Sequence, residues 1–192
     1  MDVNEYLKKF DKFTKDPTLN AMKFLLSKFN NPQDKLKIIH VAGTNGKGSV
    51  CEMMNQILIQ AGFKVGKFIS PHETIQINNT EITDSEISDI LENLSTYIEE
   101  YNKENDIKVK WFEVITCIAI IYFERKNCDF VVLETGLGGT TDCTNIVNSI
   151  ISIIVSVGYD HTDILGNSIE EIANHKAGII KKNSDTIMVN QE

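Results

Sequence analysis

No run of apolar residues in the 192-residue chain approaches the ~18 that a membrane-crossing helix needs, so the sequence argues against a bilayer-spanning protein. Paired cysteines are lacking too. Cys51, Cys117, Cys128 and Cys143 are scattered with no C-x-x-C spacing, and no leader precedes them. That pattern fits reduced, packed thiols and a cytoplasmic setting. Internal repeats, low-complexity tracts and evident linkers are missing as well, and the length suits one domain with a substantial core. Basic stripes are absent. A formal charge of −8 argues against a nucleic-acid partner. The same acidic balance would repel an anionic ligand unless metal ions and local lysines offset it.

What the chain does contain is an alternation of strand and helix signals. Residues 2 to 30 read as helical, with Tyr6, Leu7, Phe10 and Phe13, then Leu25, Leu26 and Phe29, as apolar contacts interrupted at Asp16-Pro17. An apolar strand then runs into a glycine-rich turn. Cys51 to Ala61 predicts a helix with Met53, Met54, Ile57 and Leu58 on its apolar stripe and Gly62 as its cap. Val65 to Ile69 is a short strand, and Thr83-Asp84-Ser85-Glu86 is a capping box opening a long amphipathic helix. Phe112 to Phe123 reads as a helix against the sheet, with a strand as the alternative because of its β-branched content. Phe130 to Leu133 and Ile150 to Val157 are apolar runs of buried-strand length. A second capping box at Ser168-Ile169-Glu170-Glu171 opens a helix reaching about Ile180, and Thr186 to Val189 makes a last strand. This order predicts an α/β fold: a mostly parallel sheet with helices on both faces. Ligands of such sheets bind at the carboxyl ends of strands.

The chemistry concentrates in His40-Val41-Ala42-Gly43-Thr44-Asn45-Gly46-Lys47-Gly48-Ser49. Glycines let backbone N–H groups converge on phosphate oxygens, the following helix offers its positive end, and Lys47 adds a mobile charge. A nucleoside triphosphate is the natural guest. The general P-loop pattern wants four residues between its first glycine and Gly-Lys, with Ser or Thr directly after the lysine. Here Thr44 and Asn45 alone separate Gly43 from Gly46-Lys47, and Gly48 intervenes before Ser49. A glycine turn followed by a solvated lysine is the plain alternative. Glu134, where an apolar strand meets a glycine loop, is placed to hold Mg²⁺ beside phosphates, or else simply marks a strand end. His161, after Gly158-Tyr159-Asp160, and His72, after Ser70-Pro71, are each ambiguous between ligand and structural residue.

Taken together, GTNGKGS at 43–49, SPH at 70–72, FE at 112–113, LETGLGGTTDCTN at 133–145, DH at 160–161 and HKAGIIK at 175–181 resemble folylpolyglutamate synthases, including those that also act as dihydrofolate synthases. These belong to the Mur ligase superfamily. The resemblance implies an ATP-dependent amide ligase that adds L-glutamate to a folate, or to dihydropteroate, through an acyl phosphate. It implies Gly43, Thr44, Asn45, Gly46, Lys47, Gly48 and Ser49 as the ATP loop, and Ser70, Glu134 and His161 as ligands of Mg²⁺, two ions in the family. Lys176, Lys47 and His161 become the catalytic set, with Lys176 matching a lysine that is carbamylated in the family. Without that modification, Lys176 reads as a phosphate contact or a solvated helix lysine. Thr141, Asp142 and Cys143 fall where the family contacts the pterin-bearing substrate.

Several departures accompany the likeness. Lys110 stands where a small hydroxyl residue is common, Thr140 replaces an arginine frequent after GLGG, and Thr74 replaces another arginine in a shortened segment after His72. The resemblance makes residues 1–192 the N-terminal helices plus most, but not all, of a P-loop-like ATP-binding domain. The family's glutamate-binding C-terminal domain has no counterpart in the chain. The sequence thus suggests a truncated or split chain, or a short relative, that binds nucleotide weakly and is inactive without a complementary C-terminal chain. A non-catalytic nucleotide-binding module, or another Mur-type ligase acting on a cell-wall precursor, are the alternatives.

Overall fold

The computed structural model describes residues 2–11, 18–70 and 73–190. Asp16-Pro17 and His72 lie outside the described residues. The elements, in chain order, are α1 (Val3–Leu7), α2 (Asn20–Ser27), β1 (Ile38–Ala42), α3 (Lys47–Gln60), β2 (Val65–Ile69), β3 (Thr74–Ile77), β4 (Thr80–Glu81), α4 (Asp84–Glu104), α5 (Trp111–Arg125), β5 (Phe130–Glu134), β6 (Ile151–Ile154), α6 (Thr162–Leu165), α7 (Ile169–Ala177) and β7 (Asp185–Met188). Short 3₁₀ turns cover Pro32–Lys35 and Cys143–Ile146.

The strands form one seven-stranded sheet in the order β4-β3-β2-β5-β1-β6-β7. The five strands from β2 to β7 in that order pair in parallel, and β3 and β4 add an antiparallel hairpin at one edge. Side chains of β1 alternate between the two faces of the sheet, as the strand repeat requires. Ile39 and Val41 join Val65, Val132, Ile153 and Cys51 in a cluster under α3. Ile38, with Val131, Leu133 and Phe68, packs instead beneath α5, α4 and α2. Helices therefore cover both faces, as the alternation of signals predicts.

Local chemistry sets the helix boundaries. Thr83 and Glu86 complete a reciprocal capping box on α4, and Ser168 and Glu171 do the same for α7. Glu86 is held down to about 2, first by the hydrogen-bonded Lys126 ammonium and then by the Thr83 amide. Phe112 to Phe123 is helical within α5, buried nearly throughout because α2 and α4 cover the side turned away from the sheet. Helix α3 begins earlier than Cys51, so Lys47, Gly48 and Ser49 form its first turn. The expected strand from Ile150 to Val157 shortens to β6, because residues beyond it leave the ladder to meet the glycine turn. The hairpin of β3 and β4 is not foreseen from sequence. Its turn is Asn78-Asn79, both at positive φ (47° and 66°), which matches the right-handed twist of the flanking strands. Asn78 Oδ1 accepts from the Val65 amide at 2.8 Å, and Asn55 Nδ2 donates to Asn79 Oδ1 at 2.8 Å, fastening the hairpin to β2 and α3.

Candidate nucleotide-binding site

The glycine turn leaves the carboxyl end of central strand β1. Register pairs Val41 with Glu134 on one side and Ala42 with Ile154 on the other, so three strand ends open toward the same place. Gly46 sits at φ 85° as the N-cap of α3, a conformation that side chains with a Cβ resist. The turn is clasped from β6's extension. The Thr44 amide donates to Ser156 O at 2.7 Å, and the Asn45 amide donates to Ser156 Oγ at 2.9 Å. Thr44 Oγ1 also accepts from the Gly158 amide at 3.0 Å. Ser156 and Gly158 are structural members of the site that the motif reading missed. Their signal is a small and hydroxyl-bearing pair just past an apolar strand.

Lys47 folds back over its own turn. Its Nζ donates to Gly43 O at 3.1 Å and Thr44 O at 3.4 Å, and stands 4.0 Å from Glu134 Oε1. Glu134 ends β5 and is only 3% exposed. Its Oε2 accepts from the Ser70 amide at 3.2 Å. Burial pushes the carboxyl above its ordinary value, opposed by the Lys47 charge and the Ser70 N–H. Lys176, from α7, is 2% exposed and has no hydrogen-bond or ion-pair partner among the described residues. Burial first, and then the positive charge of Lys47, lower its pKa to about 8, with Asp160 opposing the shift. Lys176 is therefore within electrostatic reach of both Lys47 and Asp160.

Lys176 is seated by the loop that follows Glu134. The Thr140 amide donates to His175 O at 2.8 Å, and Asn145 Nδ2 donates to Gly178 O at 3.0 Å. Gly139 lies so close to α7 that an added Cβ would stand 2.5 Å from His175 O and 2.9 Å from Lys176 O. Glu134 and Lys176 are thus the two ends of one tightly packed segment pair.

The structure brings together the glycine turn, Lys47, Ser70, Glu134 and, through electrostatics, Lys176. His161 is not tied to that set by a hydrogen bond or ion pair among the described residues. It sits at φ 47° ahead of α6 with its side chain 56% exposed, and its Nε2 is 3.6 Å from Asp160 Oδ1. No hydrogen bond or ion pair links it to Ser70 or Glu134. Among the described residues, no group of three His, Cys, Asp or Glu side chains is close enough to hold a metal ion. Asn45 and Ser49 are exposed, as is Thr141. Asp142 and Cys143 are buried: Asp142 receives the Leu137 amide at 2.7 Å, and the Cys143 sulfur lies 3.1 Å from Thr116 Oγ1. Phe112 stacks on Phe68 with ring centroids 5.9 Å apart. Glu113 accepts from the Lys110 amide at 2.8 Å, and Lys110 Nζ pairs with Asp11 at 3.0 Å, so the lysine at that position closes the entry to α5. Among the described residues, no helix is long and apolar enough to cross a membrane.

The model of the Mur ligase middle domain matches residues 41–192. Among curated proteins, the chain is 42% identical over 177 residues to the dihydrofolate synthase/folylpolyglutamate synthase of Bacillus subtilis, covering 89% of this chain and 41% of that protein. It is 39% identical over 170 residues to the dihydrofolate synthetase of Saccharomyces cerevisiae, covering 84% of this chain and 39% of the relative. Among solved structures, a complex of L. casei folylpolyglutamate synthase with AMPPCP and folate superposes at TM-score 0.92 with 34% identity, over 100% of this chain and 49% of that one. The Thermotoga maritima folylpolyglutamate synthase superposes at 0.87 with 37% identity, over 99% and 44%. The chain thus spans about half or less of the length of these relatives. With the glycine turn, the parallel sheet and the domain match in agreement, the chain belongs to the Mur ligase family, whose middle domain accounts for residues 41–192.

Proposed function

We propose that residues 1–192 form the nucleotide-handling part of an ATP-dependent ligase that joins L-glutamate to a folate or to dihydropteroate. The observation that carries this reading is Glu134: a buried carboxylate at the mouth of a glycine turn, compensated among the described residues by one lysine at 4.0 Å and one amide at 3.2 Å. Such a group fits a hard cation, and the oxygen donors of Ser70 and Glu134 suit Mg²⁺. Magnesium characteristically takes one or two protein oxygens and completes its shell with phosphate oxygens and water, which agrees with Glu134 having no cluster of further metal-binding side chains around it among the described residues. When bound it would neutralise charge on the transferring phosphoryl group. His161, exposed ahead of α6, is the residue that would serve a second ion.

In the proposed reaction a substrate carboxylate oxygen takes the γ-phosphoryl group and ADP departs. The glutamate amine then attacks the acyl carbon, loses a proton, and phosphate leaves with the C–O bond. The chain's own contribution is placement: Gly43 to Ser49 wrap the phosphates, and Lys47 exchanges its turn carbonyls for β- and γ-phosphate oxygens. The lowered Lys176 leaves about half of its amine uncharged near pH 8, the form that adds CO₂ to give a carbamate and a released proton. That modification would turn an unpartnered cation into an anionic oxygen ligand. Exposed Thr141 is available to the acceptor substrate, and buried Asp142 and Cys143 act from beneath by shaping its loop.

Ile187 and Met188 are each more than half exposed on β7, an outer strand of the sheet. This uncovered apolar edge supports a complementary C-terminal polypeptide as partner. The test is phosphate release from Mg-ATP with folate or dihydropteroate, with and without glutamate, using the 192-residue chain alone and together with the C-terminal part of a relative that this chain does not span. Glutamate-dependent release in the assembled form is expected. Nucleotide binding without release in any combination would favour a non-catalytic module, and release with muramyl but not folate acceptors would favour a cell-wall ligase.

A further inference from the structure

Between β1 and the loop after β5, buried Asp142 is the end of a chain of polar groups whose other members, His40 and Thr144, have no role in the proposed reaction. His40 (0% exposed) points from the middle of β1 away from α3, and its Nε2 lies 2.9 Å from Thr144 Oγ1. Thr144 (0% exposed) is in turn hydrogen-bonded through its hydroxyl to Asp142 Oδ1, which also accepts the Thr144 amide at 2.9 Å. Asp142 Oδ2 accepts the Leu137 amide at 2.7 Å.

The protons in this chain can be assigned by elimination. Burial pushes the Asp142 carboxyl up, but the amides of Leu137, Thr144 and Gly136 and the Thr144 hydroxyl all favour the carboxylate, which then acts as acceptor, so the single hydroxyl hydrogen of Thr144 goes to Oδ1. Thr144 Oγ1 must then accept, which puts the imidazole proton on Nε2. His40 Nδ1 has no partner among the described residues, and a bare acceptor there is cheaper than an orphaned N–H. Burial holds the ring uncharged, its pKa lowered to about 3.

We propose that His40 is a positioning residue for the site: through Thr144 it fixes the Asp142 carboxylate that pins residues 136–145, and so joins the strand feeding the glycine turn to the loop that seats Lys176. The proposal deepens the ligase reading in purpose, yet its test needs no catalysis. In the unmodified chain, nitrogen NMR should find the His40 proton on Nε2. In H40L the Leu137 and Thr144 amides should exchange with solvent about tenfold faster, the factor for losing one hydrogen bond in a charge-assisted chain. H40Q, whose amide nitrogen reaches the Nε2 position, should restore exchange to near the starting rate. T144V gives the same expectation as H40L if that variant fails to fold. A proton on Nδ1, unchanged exchange in H40L or T144V, or no rescue by H40Q would overturn the proposal. Nucleotide titration of the same samples is read separately, so absent binding would count against the ligase reading and leave this one standing.

Discussion

Replacing Lys47 by methionine is expected to weaken the proposed Mg-ATP binding to the 192-residue chain by about 30- to 140-fold, the equivalent of roughly 2–3 kcal/mol for a charge-assisted contact to phosphate. Methionine keeps the length and removes the ammonium, so the glycine turn retains its Thr44, Ser156 and Gly158 clasp while the charge over it disappears. Isothermal titration with a non-hydrolysable ATP analogue measures the effect. The same change should raise the Lys176 pKa above about 8, because one of the influences holding it down is the Lys47 charge. This carries a sign for stability. Between about 8 and the ordinary 10.5, the unfolded chain keeps the Lys176 proton while the folded chain has lost it, so stability climbs with pH across that window. Lys47→Met narrows the window from its lower side. A Lys176 resonance that titrates at the same pH in both proteins would contradict the electrostatic contact between the two lysines.

Gly139→Ala should destabilise the chain by about 3 kcal/mol, because its Cβ has nowhere to go. The atoms it meets, His175 O at 2.5 Å and Lys176 O at 2.9 Å, are backbone, and backbone cannot swing aside as a side chain can. Relief requires the loop to lift from α7, which breaks the Thr140 amide's bond to His175 and the Asn145 bond to Gly178. Gly158→Ala is the control, since the nearest atom to its added Cβ is Thr44 Cγ2 at 3.9 Å. Urea denaturation should separate the two variants widely, with Gly158→Ala within about 0.5 kcal/mol of the parent. Equal stabilities would mean that the loop does not rest on α7 as described.

The sheet and its flanking helices were legible because their signals are local. Apolar runs at β1, β5 and β6 give buried strands, and the boxes at Thr83 and Ser168 place two helix starts. Strand ends were less legible. Ser156 and Val157 extend an apolar run, yet hydrogen bonds to the turn, made 111 to 114 residues away in sequence, pull this stretch out of the ladder. The hairpin at Asn78-Asn79 escaped because its strands are short and its turn lacks glycine. In the site, Glu134 and Lys47 announced themselves by position, whereas Asp142 and Cys143 entered as substrate contacts through the family resemblance, and the Gly-Thr-Thr-Asp-Cys run at 139–143 gives no local sign that both are buried. Burial of such a loop is set by what packs on it, here Phe112, Thr116 and α7, and no local pattern encodes that. His40 was hidden within an apolar run.

The central claim is that the glycine turn, Ser70, Glu134 and Lys176 surround one metal–triphosphate pocket. Paramagnetic broadening by Mn²⁺ with a non-hydrolysable ATP analogue tests it most directly, residue by residue, on the isotopically labelled chain. Selective loss of signals from Gly43 to Ser49, Ser70, Glu134 and Lys176, with α1 and the β3–β4 turn untouched, is the predicted result. Broadening centred elsewhere, or reaching the turn while sparing Glu134 and Lys176, would contradict it.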